Sequence, residues 1–138
     1  MSTILVADDD PAVASTLSAI LARVYTVVTT LSLEHVEQVV RGIRLDLVLL
    51  DVNFGREHSL DIAKRIRHTG IGVLLISGER STADLLLEHR CLEEDGVRVL
   101  AKTITPLELL LEVEAALQRE RQRWEAPHAI TRPRLLMR

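Results

Sequence analysis

The chain has 138 residues, of which 47% are hydrophobic and 27% charged, with a net charge of −3. This size and composition predict one globular domain with a full apolar core. Aromatic residues make up only 2%, which argues against recognition of single-stranded nucleic acid by base stacking. The sequence contains no long apolar run, no signal-peptide pattern and a single cysteine, Cys91. These features predict a cytoplasmic protein without an internal disulfide.

Short apolar or β-branched runs alternate with segments of helical periodicity along the chain. The strand-like runs are 4–7, 25–29, 45–50, 72–76 and 97–101, and the helical segments are 11–24, 32–41, 59–68, 81–90 and 105–123. Asp10 and Ser32 are N-cap candidates, and Gly42 ends the second helix. The apolar positions of the last helix are predicted to be Leu107, Leu110, Leu111, Val113, Ala116 and Leu117. This βα alternation predicts a parallel sheet with right-handed crossovers and helices on both faces.

The end of the chain differs in composition from the rest. Residues 124–138 have two prolines, no clear period and several basic residues, among them Arg132, Arg134 and Arg138. We therefore predict a domain over residues 1–123, followed by a basic tail or the start of a linker. The tail is too short for a helix-turn-helix unit, so we expect no direct DNA binding by this chain.

Polar residues follow four of the predicted strands at the point where each ends. They are the triplet 8–10 (Asp-Asp-Asp), Asp51, Ser77 and Lys102. Because the carboxyl ends of parallel strands lie along one edge of a sheet, these side chains are expected to converge. Taken singly, each has a plainer interpretation: a helix N-cap, a turn residue, a Ser-Gly turn and a solvated surface lysine. Their combination in this order favours one phosphate-handling site.

The chemistry of this set is consistent. Asp8, Asp9 and Asp51 in one pocket would raise one another's pKa unless a cation neutralised them. Mg²⁺ suits such oxygen ligands and keeps open positions for a phosphoryl group. Lys102 would supply a mobile positive charge, and Ser77 a hydroxyl for a phosphate oxygen. An aspartate nucleophile that accepts a phosphoryl group is therefore chemically sensible.

These motifs resemble the receiver domain of bacterial two-component response regulators over about residues 3–120. The matching segments are residues 4–11 (ILVADDDP), 47–53 (LVLLDVN), 75–78 (LISG) and 100–102 (LAK). The resemblance implies a flavodoxin-like doubly wound α/β fold, with five parallel strands in the order 2-1-3-4-5. It also implies a signalling protein of a phosphorelay rather than an enzyme.

The resemblance assigns roles to individual residues. Asp51 would be the phosphoacceptor, and Ser77 and Lys102 would assist the transfer. Mg²⁺ would be bound by Asp9, Asp51 and the backbone carbonyl of Asn53, and by Asp8 through water. The implied partners are a histidine kinase or histidine phosphotransfer protein and a downstream protein target. A homodimer could form through the face of the fourth helix, the fifth strand and the last helix.

The sequence departs from the family pattern in three places. Thr103 stands where the family has proline after the lysine, and Val99 stands where it has Tyr or Phe. The loop 54–59 lacks the usual Met-Pro and Asp-Gly. Two alternatives to a stand-alone receiver therefore stay open: an interaction module that works without phosphorylation, and a receiver cut from a longer regulator or hybrid kinase. A flavodoxin-like nucleotide or flavin binder is disfavoured because no Gly-rich loop follows the first strand.

Overall fold

The computed structural model describes residues 1–52, 59–77 and 97–125. Five strands form one parallel sheet in the order β2-β1-β3-β4-β5. They are β1 (Thr3–Ala7), β2 (Thr26–Thr30), β3 (Leu47–Asp51), β4 (Gly72–Ser77) and β5 (Arg98–Ala101). The predicted flavodoxin-like sheet and its strand order are confirmed.

Helices cover both faces of this sheet. They are α1 (Pro11–Leu21), α2 (Leu33–Gly42), α3 (Ser59–His68) and a C-terminal helix (Pro106–Glu125). Within these ranges no helix is long and apolar enough to cross a membrane. The predicted helix at 81–90, the residues Asn53, Gly78 and Cys91, and the tail from 126 onward lie outside the described residues.

The central strands divide their side chains between two apolar clusters. Along β1, Leu5 and Ala7 join one cluster with α2 and α3, whereas Ile4 and Val6 join the other with α1 and the C-terminal helix. The strands β3 and β4 alternate in the same way, since successive strand residues point to opposite faces. Burial on both faces explains why these strands read as continuous apolar runs in the sequence.

The C-terminal helix corrects one prediction. The sequence predicts Leu107 and Leu111 on the apolar face of this helix, but they are 67% and 61% exposed. Leu109, outside the predicted set, is 1% exposed and faces the core. The buried residues Leu109, Val113, Ala116 and Leu117 are spaced as one face of a helix. The first leucines of a leucine-rich helix therefore fall on both faces.

Several element ends also differ from the prediction. The helix α1 ends at Leu21, so Val24 lies beyond it and is half-exposed. Tyr25 precedes β2 rather than beginning it, since its backbone N–H donates to the carbonyl of Leu21 at 2.9 Å. Ser32 has the extended backbone of an N-cap, but its side chain makes no capping hydrogen bond. The C-terminal helix runs to Glu125, two residues past the predicted end.

Candidate functional site

The three residues of the acidic triplet after β1 lie in different environments. Asp10 caps α1, because its Oδ1 accepts from the backbone N–H of Ala12 at 2.9 Å and of Val13 at 3.4 Å. The backbone N–H of Asp10 donates to Asp8 Oδ1 at 2.9 Å. Asp8 is 1% exposed, whereas Asp9 is exposed. The cap therefore fixes the backbone that orients Asp8 toward the sheet edge.

Asp51 brings a third carboxylate to the same place. It ends β3, is 2% exposed, and pairs in register with Ile76 of β4. Asp8, Asp9 and Asp51 each offer one carboxylate oxygen, and these oxygens all lie within 4.8 Å of one another. Two adjacent parallel strands, β1 and β3, supply these residues. The topology thus produces the acidic cluster that the strand-end argument predicted.

Lys102 reaches this cluster from β5. Its Nζ lies 3.3 Å from Asp8 Oδ2 and 3.4 Å from Asp51 Oδ2. Its backbone N–H donates to the carbonyl of Ser77 at 2.8 Å, which ties the lysine to the end of β4. None of the described peptide bonds is cis, so the Lys102–Thr103 bond is trans. Lys102 therefore meets both carboxylates without a proline at position 103.

Ser77 ends β4 between Asp51 and Lys102. Its side chain is buried, and its Oγ has no hydrogen-bond partner in the described part of the chain. A buried hydroxyl without a partner costs free energy, typically about 1–3 kcal/mol. The hydroxyl is therefore placed to donate to a group that enters the site.

Burial and charge shift the pKa values at this edge. Burial raises the pKa of Asp8, and the nearby charge of Asp51 adds to the rise, whereas the Asp10 N–H and Lys102 oppose it. Burial alone would lower the pKa of Lys102, but the carboxylates Asp51 and Asp8 outweigh it and raise the pKa. Among the described residues, one ammonium group faces three carboxylates, so the carboxylates outnumber the positive charge there.

The donor set fits a hard divalent cation. Three carboxylate oxygens converge, and the buried Asp8 Oδ2 has no hydrogen bond among the described residues beyond its ion pair with Lys102. Mg²⁺ prefers oxygen ligands of this kind and keeps part of its water shell. Asn53, the predicted carbonyl ligand, lies outside the described residues.

Sequence reasoning overlooked a feature next to Lys102. The Thr105 hydroxyl accepts from the Glu108 N–H at 3.2 Å and donates to Glu108 Oε1 at 2.8 Å. This pair caps the C-terminal helix, three residues beyond Lys102. The signal was present in the sequence, since Thr-x-x-Glu before an apolar helix is a capping pattern.

Comparison with known proteins agrees with this geometry. The family model of the response regulator receiver domain matches residues 4–114. The DNA-binding response regulator MtrA of Mycolicibacterium smegmatis is 30% identical over 118 residues, which are 84% of this chain and 50% of MtrA. This chain thus spans about half the length of the curated relative that it matches.

Solved structures show the same fold at lower sequence identity. A CheY-like receiver domain protein from Methanospirillum hungatei is 17% identical with a TM-score of 0.77, over 88% of this chain and 98% of that chain. A receiver domain protein from Clostridium thermocellum is 21% identical with a TM-score of 0.75, over the same shares of the two chains. With the family match over most of its length, the chain belongs to the response regulator receiver domain family.

Proposed function

We propose that this receiver accepts a phosphoryl group on Asp51 with the help of Mg²⁺, and signals by protein–protein contact. The observation that carries the proposal is the bridge of Lys102 Nζ between Asp8 and Asp51 at 3.3 and 3.4 Å. That bridge places a positive charge beside the carboxylate that would become an acyl phosphate. Asp9 in the same cluster supplies a further ligand for a cation.

Asp51 would act as the nucleophile. One of its carboxylate oxygens forms a bond to phosphorus as the P–N bond of a phosphohistidine breaks. The electron pair of the broken bond stays on the imidazole nitrogen, which takes up a proton from solvent or from its own protein. Lys102 then pairs with a phosphoryl oxygen instead of Asp8, and the Ser77 hydroxyl donates to another.

Receiver domains bind Mg²⁺ at an acidic pocket, and we assign this role here to Asp9, Asp51 and the Asn53 carbonyl, with Asp8 acting through water. When bound, the cation neutralises charge that develops on the phosphoryl oxygens. Among the described residues of the site, carboxylates outnumber positive charges, which supports this assignment. Without a bound cation, these carboxylates would repel the anionic phosphoryl group.

The proposed partners follow from the reaction. A histidine kinase or histidine phosphotransfer protein would donate the phosphoryl group, and a downstream protein would read the phosphorylated state in the cytoplasm. We take residues 1–123 as the receiver and 124–138 as its tail. A homodimer through the face that includes β5 and the C-terminal helix is one form that the output could take.

Intact mass spectrometry after incubation with acetyl phosphate and Mg²⁺ tests the proposal. We expect one added phosphoryl group, absent from an Asp51→Asn variant and absent when Mg²⁺ is omitted. Asp46→Asn is a matched control, because Asp46 lies at the opposite end of β3 and its carboxylate accepts from the Thr3 N–H. A phosphorylated Asp51→Asn variant would show that the acceptor is another residue.

The departures at Val99 and Thr103 give the alternative function a specific basis. If neither acetyl phosphate nor a phosphorylated histidine phosphotransfer protein modifies the chain, and Mg²⁺ does not bind, the receiver works as an interaction module without phosphorylation. Binding of Mg²⁺ without any phosphoryl transfer would locate the defect in the Lys102 loop or in the loop 54–59.

A further inference from the structure

The catalytic lysine lies in a connection of only four residues. Lys102, Thr103, Ile104 and Thr105 join the end of β5 to the first residue of the C-terminal helix. The backbone of this connection is fixed on the strand side by two hydrogen bonds. The Lys102 N–H donates to the backbone carbonyl of Ser77 at 2.8 Å, and the Ile104 N–H donates to the backbone carbonyl of Ala101 at 3.1 Å.

The helix side of the connection is fixed by Thr105 and Glu108. Their side chains bond each other at 2.8 Å, and the Thr105 hydroxyl also accepts from the Glu108 N–H at 3.2 Å. The Thr105 carbonyl accepts from the N–H of Leu109 at 2.9 Å, and Leu109 is buried in the core. Thr105 is thus anchored to the rigid first turn of a helix that is packed on the sheet.

This anchoring is important because position 103 holds threonine. Its backbone φ angle is not fixed by a ring, as that of proline would be. Without proline, the turn must obtain its order from its two ends. The ammonium group of Lys102 contacts two carboxylates at 3.3 and 3.4 Å, and the backbone of the turn sets the point from which its side chain reaches them.

We propose that Thr105 and Glu108 are positioning residues for phosphoryl transfer, because their mutual cap holds the Lys102 turn and so places the lysine ammonium between Asp8 and Asp51. The inference rests on the proposed function. It assigns to a helix cap the ordering role that a proline at position 103 would otherwise have.

The test compares Thr105→Ala, Thr105→Ser and Glu108→Gln with the unmodified chain. Thr105→Ala removes the cap, and we expect its phosphorylation rate constant at saturating acetyl phosphate and Mg²⁺ to fall roughly tenfold. Thr105→Ser keeps a capping hydroxyl and is expected to restore the rate to within about twofold. Glu108→Gln keeps an acceptor for the Thr105 hydroxyl and should behave like Thr105→Ser, whereas Glu108→Ala removes this acceptor and should behave like Thr105→Ala.

A second readout follows the lysine itself and does not require phosphorylation. The chain has only two lysines, Lys64 and Lys102, so NMR relaxation of the ¹³Cε nuclei resolves each of them. We expect faster side-chain motion of Lys102 in Thr105→Ala, with Lys64 on α3 unchanged as an internal reference. The Kd for Mg²⁺ should not rise, because the acidic residues stay in place and a more mobile Lys102 competes less for them.

Ser32→Ala is the matched control. Ser32 occupies the N-cap position of α2 with an extended backbone but makes no side-chain capping bond. This variant should keep the rate and the lysine order of the unmodified chain. Equal losses in Ser32→Ala and Thr105→Ala would contradict a specific role for the cap.

The outcomes separate this inference from the proposed function. If the unmodified chain is phosphorylated and Thr105→Ala matches it in rate and in Lys102 order, the inference is overturned and the function stands. If neither acetyl phosphate nor a phosphorylated histidine phosphotransfer protein phosphorylates the unmodified chain, but Lys102 loses order in Thr105→Ala, the cap positions the lysine and the proposed function fails.

Discussion

The ammonium nitrogen of Lys102 lies 3.4 Å from Asp51 Oδ2, although one strand of the sheet lies between the two residues. β4 separates β3 from β5, so the lysine side chain crosses the end of β4 to reach the carboxylate. The same nitrogen contacts Asp8 at 3.3 Å. Lys102 therefore links three strand ends, and its removal should affect chemistry and cation binding in opposite directions.

Lys102→Met tests that expectation. We expect the phosphorylation rate with acetyl phosphate to fall by about 10²-fold, because a fixed positive charge beside the transferring group is lost. The affinity for Mg²⁺ should rise, since the carboxylates lose a competing cation. Lys64→Met, which changes the other lysine, is the control for both assays. An unchanged rate in Lys102→Met would exclude the lysine from the reaction.

Asp8→Asn is expected to stabilise the fold at pH 7 without Mg²⁺. Because burial and Asp51 raise the pKa of Asp8, the stabilisation that its protonated form provides is complete below the ordinary carboxyl range and is lost as pH rises through the folded-state pKa. A neutral amide avoids this loss, so we expect the substitution to raise the free energy of unfolding by about 1 kcal/mol.

Urea denaturation of both chains measures the effect. The difference should be largest at pH 7 and shrink as pH falls and Asp8 takes up its proton. Added Mg²⁺ should stabilise the original chain more than the variant. Greater stability of the original chain at pH 7 without Mg²⁺ would mean that the pair with Lys102 outweighs the cost of burial.

The polar residues at the strand ends could be predicted from the sequence more reliably than the exposed face of the C-terminal helix. Asp8, Asp51, Ser77 and Lys102 could be predicted to meet because the ends of parallel strands share an edge, whatever the details of packing. Leu107 and Leu111 could not be assigned correctly, because several adjacent leucines are compatible with more than one helical face. Their exposure is decided by which face of the helix packs on the sheet, and that face carries Leu109, Val113, Ala116 and Leu117.

Polar pairs between residues far apart in the chain could not be predicted from the sequence either. Nothing near Tyr25 in the chain indicates that its hydroxyl bonds Glu114, and nothing near Arg67 indicates Glu120. Such pairs depend on tertiary packing, whereas a cap such as Asp10 on α1 depends on residues within one turn. Local signals were therefore predictable, and long-range polar pairs were not.

Tyr25 provides a pH-dependent contribution to stability. Its hydroxyl donates to Glu114 Oε2 at 2.7 Å, and burial together with this carboxylate raises the pKa of Tyr25 from 10.0 to about 12. The stabilisation is complete below the unfolded value near 10 and is lost as pH rises through about 12. The phenol is the only one in the chain, so its ultraviolet absorbance titrates without overlap from another tyrosine. A midpoint near 10 would mean that the phenol is neither buried nor bonded to Glu114 in solution.

Tyr25→Phe is the companion variant. It should lower the free energy of unfolding by about 1 kcal/mol at pH 7, the usual net value of such a hydrogen bond. The stability of the original chain and that of the variant should converge as pH approaches 12. A variant that is as stable as the original chain at pH 7 would show that water replaces the phenol at Glu114.

Gly72 at the start of β4 should not tolerate a side chain. A Cβ there would lie 2.9 Å from Glu120 Cγ and 2.9 Å from Leu47 Cδ1. We expect Gly72→Ala to lower the free energy of unfolding by about 1–3 kcal/mol, as overpacking does in a filled core. Gly42→Ala is the control, because a Cβ at Gly42 meets nothing within 4 Å, and it should raise stability by about 0.5 kcal/mol. Thermal unfolding of the two variants measures both the expected loss and the expected gain in stability.

The ion pair between Arg67 and Glu120 ties the end of α3 to the C-terminal helix. Arg67 Nη2 lies 2.9 Å from Glu120 Oε1, and both side chains are largely buried. Glu120→Ala would leave a buried guanidinium without this carboxylate, so we expect a loss of about 3–5 kcal/mol in the free energy of unfolding. The paired variant Arg67→Met with Glu120→Leu should recover most of that loss, because apolar groups of similar volume replace both charges.

Arg41→Ala is the control for this pair. Arg41 pairs with Glu37 one helical turn away and is 77% exposed, so its loss should cost no more than about 0.5 kcal/mol. Denaturant unfolding of the four proteins, including the original chain, separates burial from charge. If Glu120→Ala and Arg41→Ala cost the same, the Arg67 guanidinium is hydrated or paired elsewhere once Glu120 is removed. The C-terminal helix would then be held on the sheet by its apolar face, through Leu109, Val113 and Leu117, rather than by this ion pair.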